Sequence, residues 1–296
     1  MLISRRNLLK GLVAGAGVAA SRAASAREAK EPNPDAVGML YDSTLCIGCK
    51  ACVVSCREVN GLPPTTDTFL GATYDAPNDL SGSTKNVIKL GRDGDKGGFF
   101  KNQCMHCVDP ACVSACMVGA LHKAEHGIVA YDAARCMGCR YCQVACPFEI
   151  PKFEWSSNSP KIVKCELCRE RLAEGKLPGC VEVCPRKAVI YGTRAELLQE
   201  AHRRIQEQPG RYQPKVYGEH DGGGTQVIYL SALPYDKLGL PELGDKAPPQ
   251  LSETIQHGIY RGFIAPVALY GALGAVILRN RRNPDTGSAS DEGGSR

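Results

Sequence analysis

The sequence predicts an α+β fold of two similar units, followed by one C-terminal transmembrane helix. Three observations lead to this prediction. Sixteen cysteines in 296 residues fall into four groups of four. Short segments typical of strands and helical turns recur around these groups. An uncharged run near the C-terminus is long enough for a membrane helix. Because aromatic residues make up only 6% of the chain, we expect something other than side chains to fill part of the interior.

Residues 1–26 have the features of a twin-arginine signal peptide. Arg5 and Arg6 lie in a basic segment, residues 11–20 are weakly apolar, and small residues precede a predicted cleavage point after Ala26. The signal is read by a receptor and is not an anchor. It therefore predicts the twin-arginine translocase as a partner. An ordinary secretion signal is the alternative.

The cysteines form four quartets, with none left over. Quartets one and three have the spacing C-x2-C-x2-C-x3-C, quartet two has C-x2-C-x4-C-x3-C and quartet four has C-x2-C-x11-C-x3-C. In chain order the quartets are Cys46, Cys49, Cys52, Cys56; Cys104, Cys107, Cys112, Cys116; Cys136, Cys139, Cys142, Cys146; and Cys165, Cys168, Cys180, Cys184. The spacing of quartets one and three is that of bacterial ferredoxins, in which the thiolates bind [4Fe–4S] clusters.

Disulfide bonds and zinc sites are the alternatives for these cysteines. Exported proteins do form disulfides, but regularly repeated C-x2-C pairs suit metals better. Zinc also accepts such pairs, although the x3 spacing before the fourth cysteine is not its usual pattern. Attached c-type haem is excluded because no C-x2-C pair is followed by histidine. His106, inside quartet two, is interpreted as a loop side chain or as a hydrogen-bonding group that tunes a cluster.

The fourth cysteine of a ferredoxin run points away from the first three and ligates the neighbouring cluster of a pair. This crossing rule predicts four sites, which we call sites A to D. Site A is Cys46, Cys49, Cys52 and Cys184, and site B is Cys56, Cys165, Cys168 and Cys180. Site C is Cys104, Cys107, Cys112 and Cys146, and site D is Cys116, Cys136, Cys139 and Cys142.

Internal repeats group the quartets into two pseudo-symmetric ferredoxin-like units of βαβ type, each with two clusters. Residues 38–42 before quartet one resemble residues 127–132 before quartet three, and each segment is predicted to be a short strand. The ends of quartets two and four also match, and each predicts a helical turn followed by a strand. We therefore expect quartets two and three to form one unit, and quartets one and four to close around it as the second.

The four-cluster domain is predicted to span residues 36–192, with an insertion over 57–103 that contains a strand over 86–90. An amphipathic helix is expected to follow from Thr193, with Glu196 at the position of a capping box. Residues 207–257 are rich in Pro and Gly, and three glycines at 222–224 precede a strand-like segment over 225–230. The stretch over 193–257 is interpreted as an extended arm that reaches the membrane or a partner, with a flexible tether as the alternative.

The membrane helix is predicted over residues 258–279, where residues 262–278 carry no charge. A helix of that uncharged length spans roughly 26 Å, near the lower limit for a bilayer. Arginines follow it, and the positive-inside rule places this end in the cytoplasm and the body outside. A buried core helix is the alternative. Residues 283–296 are predicted to be a disordered tail.

The basic balance of the chain does not indicate nucleic-acid binding. Removal of residues 1–26, which hold four basic residues and no acids, lowers the formal net charge from +5 to +1. Each oxidised cluster held by four thiolates adds a charge of roughly −2, so the loaded domain is expected to be acidic. Basic residues beside the cysteines are expected to offset this charge, or to be ordinary solvated residues; they are Lys50, Arg140, Lys164 and Arg169.

The quartets and their flanking sequences resemble the four-cluster ferredoxin-type electron-transfer subunits of membrane-bound oxidoreductases, including formate dehydrogenase, dimethyl sulfoxide reductase and nitrite reduction systems. More narrowly, the chain resembles HybA-type subunits, the periplasmic iron–sulfur subunits of hydrogenase-2-type nickel–iron hydrogenases. The strings that carry this resemblance are GMLYDSTLC (38–46), QCMHCVDPACVSAC (103–116), GCRYCQVACP (138–147), KCELC (164–168), LPGCVEVCP (177–185) and YGEHDGGGTQV (217–227). One departure is Met117, which follows Cys116 where the family usually has proline.

This resemblance covers nearly the whole chain and implies four [4Fe–4S] clusters in a relay that is not itself an enzyme. Hydrogen would be oxidised at a separate large subunit. Electrons would then pass through a small subunit to these clusters, and on to an integral membrane subunit that reacts with quinone. The expected location is the periplasmic face of the cytoplasmic membrane. The equivalent relay of a formate dehydrogenase or another molybdopterin oxidoreductase is the alternative, and a structural metal scaffold is a third.

Overall fold

The computed structural model describes residues 28–63, 77–155, 160–250, 252–253 and 264–282. The predicted signal over 1–26 and the predicted tail over 283–296 therefore lie outside the described residues. Glu28–Gln250 form one compact unit, and a second unit comprises Met1–Arg27 and Leu251–Arg296.

The described elements are short strands and helices in a mixed order. The strands are β1 (Val37–Asp42), β2 (Asn86–Asp93), β3 (Lys96–Gln103), β4 (Leu121–Lys123), β5 (Val129–Tyr131), β6 (Lys152–Phe153), β7 (Ile162–Val163), β8 (Val189–Thr193) and β9 (Val227–Leu230). The helices are α1 (Ala51–Val59), α2 (Ala111–Ser114), α3 (Tyr141–Ala145), α4 (Arg169–Ala173), α5 (Gly179–Glu182), α6 (Arg194–Glu207) and α7 (Ile264–Arg282). Single 3-10 turns cover Glu125–Gly127, Asp221–Gly223 and Asp236–Leu238.

A three-stranded sheet of order β8-β1-β9 lies at the centre of the larger unit. β1 pairs antiparallel with β8 and parallel with β9. Successive side chains of a strand point to opposite faces. Met39 and Tyr41 accordingly pack in a core that contains Cys52, whereas Leu40 packs with Leu197 in a second core against α6. β1 is apolar on both faces because both are covered.

The predicted repeat of strands and helical turns is confirmed. In one half, β4 and β5 form an antiparallel pair, and α2 at the end of quartet two precedes β4. In the other half, β1 and β8 form the equivalent antiparallel pair, and α5 at the end of quartet four precedes β8. The strand that enters each C-x2-C-x2-C-x3-C quartet is therefore paired with the strand that leaves a quartet of the other type.

The insertion contains a β-hairpin rather than one strand. β2 begins at Asn86 as predicted, and it pairs antiparallel with β3 over the whole register from Asn86↔Gln103 to Asp93↔Lys96. Ile88 and Phe100 pack in the core beside Met39 and Tyr41. The hairpin thereby covers one face of the central sheet. Residues 64–76 of the insertion lie outside the described residues.

The segment after Thr193 differs from the predicted extended arm. α6 is present with its capping box, since the Thr193 side chain accepts from the Glu196 N–H and the Glu196 carboxylate accepts from the Thr193 N–H. The chain then turns at Gly222, Gly223 and Gly224, which have positive φ and reverse its direction. β9 follows and is fully buried in the central sheet. The glycines of this segment are therefore turn residues of a packed domain, and the linker interpretation is wrong up to Gln250.

Residues 264–282 form α7, a helix of 19 residues. In the described part of the chain, no helix has both the length and the apolar character needed to cross a membrane. Residues 258–263 of the predicted span lie outside the described residues.

Candidate metal centres

All four quartets share one backbone feature, a left-handed residue directly before the second cysteine. In quartets one and three this residue is Gly48 (φ 69°) or Gly138 (φ 71°), and in quartets two and four it is His106 (φ 48°) or Leu167 (φ 52°). The conformation is easy for glycine and costs energy for other residues. The turn brings the N–H of Gly48, and likewise that of Leu167, to the sulfur of the preceding cysteine at 3.5 Å and 3.4 Å.

The four cysteines of site A surround one cavity. Its empty volume is about 360 Å³, including space open to solvent, and Tyr41 and Ile88 also line it. Burial is the main cause that raises the pKa of Cys52 to about 11; Lys101 opposes the rise, and the thiolates of the other three cysteines of the site add to it. Cys184 therefore faces the three cysteines of quartet one, although it lies far from them in the sequence.

Site B shows the same convergence in a more enclosed position. Burial raises the pKa of Cys180 to about 12, Lys101 opposes this change, and the other three cysteines of site B reinforce it. Burial and the thiolates of Cys165 and Cys168 likewise raise the pKa of Cys56 to about 12. The structure thus places Cys56, from the end of α1, with quartet four.

Sites C and D follow the same rule. Burial raises the pKa of Cys107 well above its usual value, and the other three cysteines of site C add to this rise. Burial, and then the other three cysteines of site D, raises the pKa of Cys142 to about 12. All four crossed groups of cysteines are therefore brought together within the described residues.

Site A has the donor set of an iron–sulfur cluster. All sixteen thiols are free. Across the residues that the structure describes, no group of three or more His, Cys, Asp or Glu side chains is placed to hold one metal ion. The cavity of site A is lined by the four cysteines that a [4Fe–4S] cluster would need as ligands. Burial raises the pKa of Cys52 and Cys180, and a coordinating metal ion favours the thiolate form of such thiols.

Thiol exposure distinguishes the outer sites from the inner ones. Cys49 of site A and Cys139 of site D are exposed, whereas every cysteine of sites B and C is buried or half-buried. The solvent-exposed thiols among the sixteen are therefore in sites A and D.

Comparison with known proteins identifies the family. Residues 96–194 match the family model of the 4Fe-4S dicluster domain. The chain is 42% identical to the hydrogenase-2 operon protein HybA of Escherichia coli O157:H7 over 319 aligned positions, which cover 95% of this chain and 97% of that protein. The chain belongs to the HybA family. The predicted family is confirmed.

Iron–sulfur subunits of formate dehydrogenases form a second group of similar proteins. The present chain is 37% identical to the formate dehydrogenase-O iron–sulfur subunit of Escherichia coli K12, over 79% of this chain and 78% of that protein. Identity is 35% with the nitrate-inducible formate dehydrogenase iron–sulfur subunit of the same strain, over 79% and 80% respectively. The prediction of four [4Fe–4S] clusters is confirmed by the relationship to HybA, the dicluster domain and the number of cysteines, which is sixteen.

Three of the four basic residues that were expected beside the cysteines have contacts that place them relative to the sites. Lys164 is buried, and its ammonium group donates to the backbone oxygen of Cys165 at 3.0 Å. The Arg140 guanidinium stacks over the Trp155 ring at 3.9 Å. Arg169 forms an ion pair with Glu166 at 3.4 Å. Lys164 therefore lies among the cysteines, whereas the charges of the other two have partners of their own.

His106 is a fully buried loop residue rather than a surface side chain. Its Nδ1 accepts a hydrogen bond from the Val129 N–H at 3.1 Å, so the ring proton is on Nε2 when the ring is neutral. Burial, together with the ammonium groups of Lys164 and Lys123, holds the pKa of His106 well below its usual value. The neutral ring links quartet two to β5.

Sequence reasoning missed Lys101 and Gln103, which lie on β3 between sites A and B. Both side chains are buried, and Lys101 is fully so. The Lys101 ammonium donates to the Gln103 side-chain oxygen. Both are ordinary polar residues of a short strand, so the sequence carries no signal of their burial.

Proposed function

We propose that this chain is the electron-transfer subunit that carries electrons from a periplasmic nickel–iron hydrogenase to an integral membrane subunit that reacts with quinone. The family relationship and the four clusters support this role. The observation that carries it is the arrangement of the four cysteine sites, which form a row with an exposed thiol only at its two ends.

The order of the row follows from contacts between cysteines of adjacent sites. α1 carries both Cys52 of site A and Cys56 of site B. Cys165 of site B packs in one cluster with Cys104 of site C, and Cys112 of site C packs in another with Cys142 of site D. These contacts support the order A, B, C, D, along which we expect electrons to pass.

We propose that the sixteen cysteines are the cluster ligands, in the four crossed groups called sites A to D. Bound clusters supply one-electron transfer at potentials that the surrounding protein tunes. The chain contributes enclosure at sites B and C, backbone N–H groups directed at sulfur, and buried positive charge.

The crossed assignment is tested with three serine variants of the anaerobically purified protein. Cys184→Ser and Cys46→Ser should perturb the same cluster signal in electron paramagnetic resonance. Cys180→Ser, four residues earlier in the same quartet as Cys184, is the matched control and should perturb a different signal. If Cys184→Ser and Cys180→Ser instead affect one signal, the cysteines are not crossed.

The hydrogenase role is tested by the proteins that co-purify with the chain. We expect hydrogenase large and small subunits together with an integral membrane subunit, and reduction of the clusters by hydrogen in that complex. The isolated chain should not oxidise hydrogen, since its role is a relay. Reduction by formate and recovery of a formate dehydrogenase catalytic subunit would instead support the alternative, which the second group of relatives favours.

We further propose that residues 1–26 direct export by the twin-arginine translocase and that the C-terminal helix holds the chain to the periplasmic face of the membrane, with its C-terminus in the cytoplasm. Arg5, Arg6 and the uncharged run over 262–278 support this location. Replacing both arginines by lysine should retain the chain in the cytoplasm. Truncation after Gln250 should release it from membranes into the periplasm. Unchanged localisation of both variants would contradict the proposal.

A further inference from the structure

Lys101 is an unusual residue because its whole side chain is buried in the centre of the domain. It lies on β3 opposite Ile88 of β2, and its exposure is 0%. Its backbone oxygen accepts a hydrogen bond from the Tyr229 hydroxyl at 2.8 Å, which ties β3 to β9. Lysine is almost never fully buried without a charged partner. The position therefore requires compensating negative charge nearby.

A chain of side-chain contacts leads from Lys101 to site B. Its ammonium group donates to the Gln103 side-chain oxygen, and the Gln103 amide donates to Met39 Sδ at 3.6 Å. Met39 Sδ in turn lies 3.9 Å from Cys180 Sγ. The ammonium group is thereby fixed on the inner side of the sheet, where the cysteines converge.

A second contact leads from the same strand pair to site A. Gln103 is paired with Asn86 across the β2–β3 hairpin, and the Asn86 amide donates to the backbone oxygen of Cys52 at 3.4 Å. Cys52 belongs to site A, and Cys56, one turn later on α1, belongs to site B. Lys101 is therefore situated where these two sites meet.

The charge that compensates Lys101 comes from cysteines. Among the described residues, no carboxylate forms an ion pair with it, and Gln103 is neutral. Burial acts to lower its pKa, but the thiolates of Cys180, Cys52, Cys165 and Cys56 outweigh burial and hold the pKa above its usual value. Three of these thiolates belong to site B and one to site A. The side-chain contacts that start at the ammonium group end at Cys180, so we expect its charge to act most strongly on site B.

We propose that Lys101 is the shared counter-charge of the clusters at sites A and B, raising the reduction potential of both and that of site B more. Each reduction adds one negative charge to a cluster, and a buried positive charge stabilises the reduced form in a medium of low dielectric constant. Lys101 acts on the clusters through its charge and is not one of their ligands. The inference rests on the crossed ligand assignment proposed above.

The test is a redox titration of the loaded protein, followed by electron paramagnetic resonance, in the parent and in Lys101→Met. Methionine keeps most of the side-chain volume and removes the charge. The comparison is made at the solution potential at which the site B cluster of the parent is half reduced. There, the ratio of reduced to oxidised site B cluster in Lys101→Met should be lower by about tenfold or more. A tenfold change corresponds to a fall of about 59 mV in the reduction potential for one electron. Site A should shift less in the same direction, and sites C and D should not shift.

Lys96→Met is the matched control, since Lys96 lies on the same strand and is exposed. It should leave all four potentials unchanged. If Lys101→Met does not assemble its clusters, Gln103→Glu carries the test, because it keeps Lys101 in place and adds a negative charge at its hydrogen-bond partner. That variant should also lower the site B potential most.

Two results would overturn the proposal. One is an assembled Lys101→Met protein whose site A and site B potentials equal those of the parent; the other, where that variant does not assemble, is an unchanged potential in Gln103→Glu. An equal shift of all four clusters also contradicts it, since it indicates a general change of structure. These outcomes leave the relay function intact. The relay function fails separately if the parent protein lacks four reducible clusters.

Discussion

Asp42, the last residue of β1, accepts a hydrogen bond from Arg204 of α6, with 3.0 Å between Asp42 Oδ2 and Arg204 Nη1. The Asp42 side chain is fully buried and that of Arg204 is 16% exposed. The other carboxylate oxygen accepts from the Thr44 hydroxyl at 2.6 Å and from its N–H at 3.0 Å. One carboxylate therefore fixes α6 on the sheet and orders the loop that leads to Cys46.

The Asp42–Arg204 pair predicts unequal effects for two adjacent arginines. Arg204→Met should lower the free energy of unfolding by about 3–5 kcal/mol, because it leaves a buried carboxylate without its charged partner. Arg203→Met should cost much less stability, because Arg203 is 53% exposed and its ion pairs lie at the surface, where solvent screens them. Urea unfolding followed by circular dichroism measures both. Equal losses in the two variants would show that the Asp42 contact is not the cause.

The left-handed glycines of quartets one and three predict a second unequal pair. Gly48→Ala and Gly138→Ala each place a side chain at positive φ, at a cost of about 1–2 kcal/mol. At Gly48 the added Cβ would also lie 2.4 Å from the Phe99 ring, whereas at Gly138 the nearest atom is 3.4 Å away. Gly48→Ala should therefore lower the melting temperature and the iron content more than Gly138→Ala. A larger loss in Gly138→Ala would contradict this geometry.

The capping box of α6 predicts that removal of the Thr193 hydroxyl lowers folding stability moderately. Thr193→Ala removes the hydroxyl that accepts from the Glu196 N–H at 3.3 Å and should cost about 1 kcal/mol in urea unfolding. Thr193→Ser keeps the hydroxyl and serves as the control, with stability close to the parent. A loss in the serine variant as large as in the alanine variant would assign the effect to the methyl group instead.

The lowered pKa of Glu200 predicts that this residue contributes to folding stability in a way that depends on pH. The hydrogen bond from Arg203 is the largest cause that lowers its pKa from 4.5 to about 2, with a further contribution from Arg204 and burial opposing the shift. A group whose pKa is depressed in the folded state stabilises it above the unfolded-state pKa, and this contribution is lost as pH falls toward the folded-state pKa. The parent should therefore exceed Glu200→Gln in stability at pH 7, by less than about 1 kcal/mol for a partly exposed pair.

That difference should shrink as pH falls below about 4.5 and vanish near pH 2. Thermal unfolding of both proteins across this range measures it. A constant difference at every pH would mean that the charge of Glu200 does not matter.

Much of the candidate site could be predicted from the sequence because cysteine spacing is tied to cluster geometry. Cys46 and Cys49 lie on a tight loop, Cys52 lies in the first turn of α1, and the same helix carries Cys56 one turn later. The same local logic predicted the strands before Cys46 and Cys136, and the capped start of α6. These features depend on residues close together in the chain.

The features that sequence reasoning missed depend on distant contacts. The strand-like segment over 225–230 could be predicted, but its place beside β1 could not, because the flanking Pro and Gly residues have the composition of a linker and only the turn at Gly222–Gly224 returns the chain to the core. Lys101 is a single lysine in a short strand, and only the packing of the hairpin onto α1 and β1 buries it. Neither partner could be inferred from nearby sequence.

The parallel pairing of β1 with β9 has a consequence for biosynthesis. The innermost strand comes from the first part of the described chain, and the neighbour that completes its hydrogen bonding ends at Leu230. The ribosome must therefore finish most of the polypeptide before this sheet can close. Site A likewise waits for Cys184, so its metal can be fully enclosed only late in translation or after it.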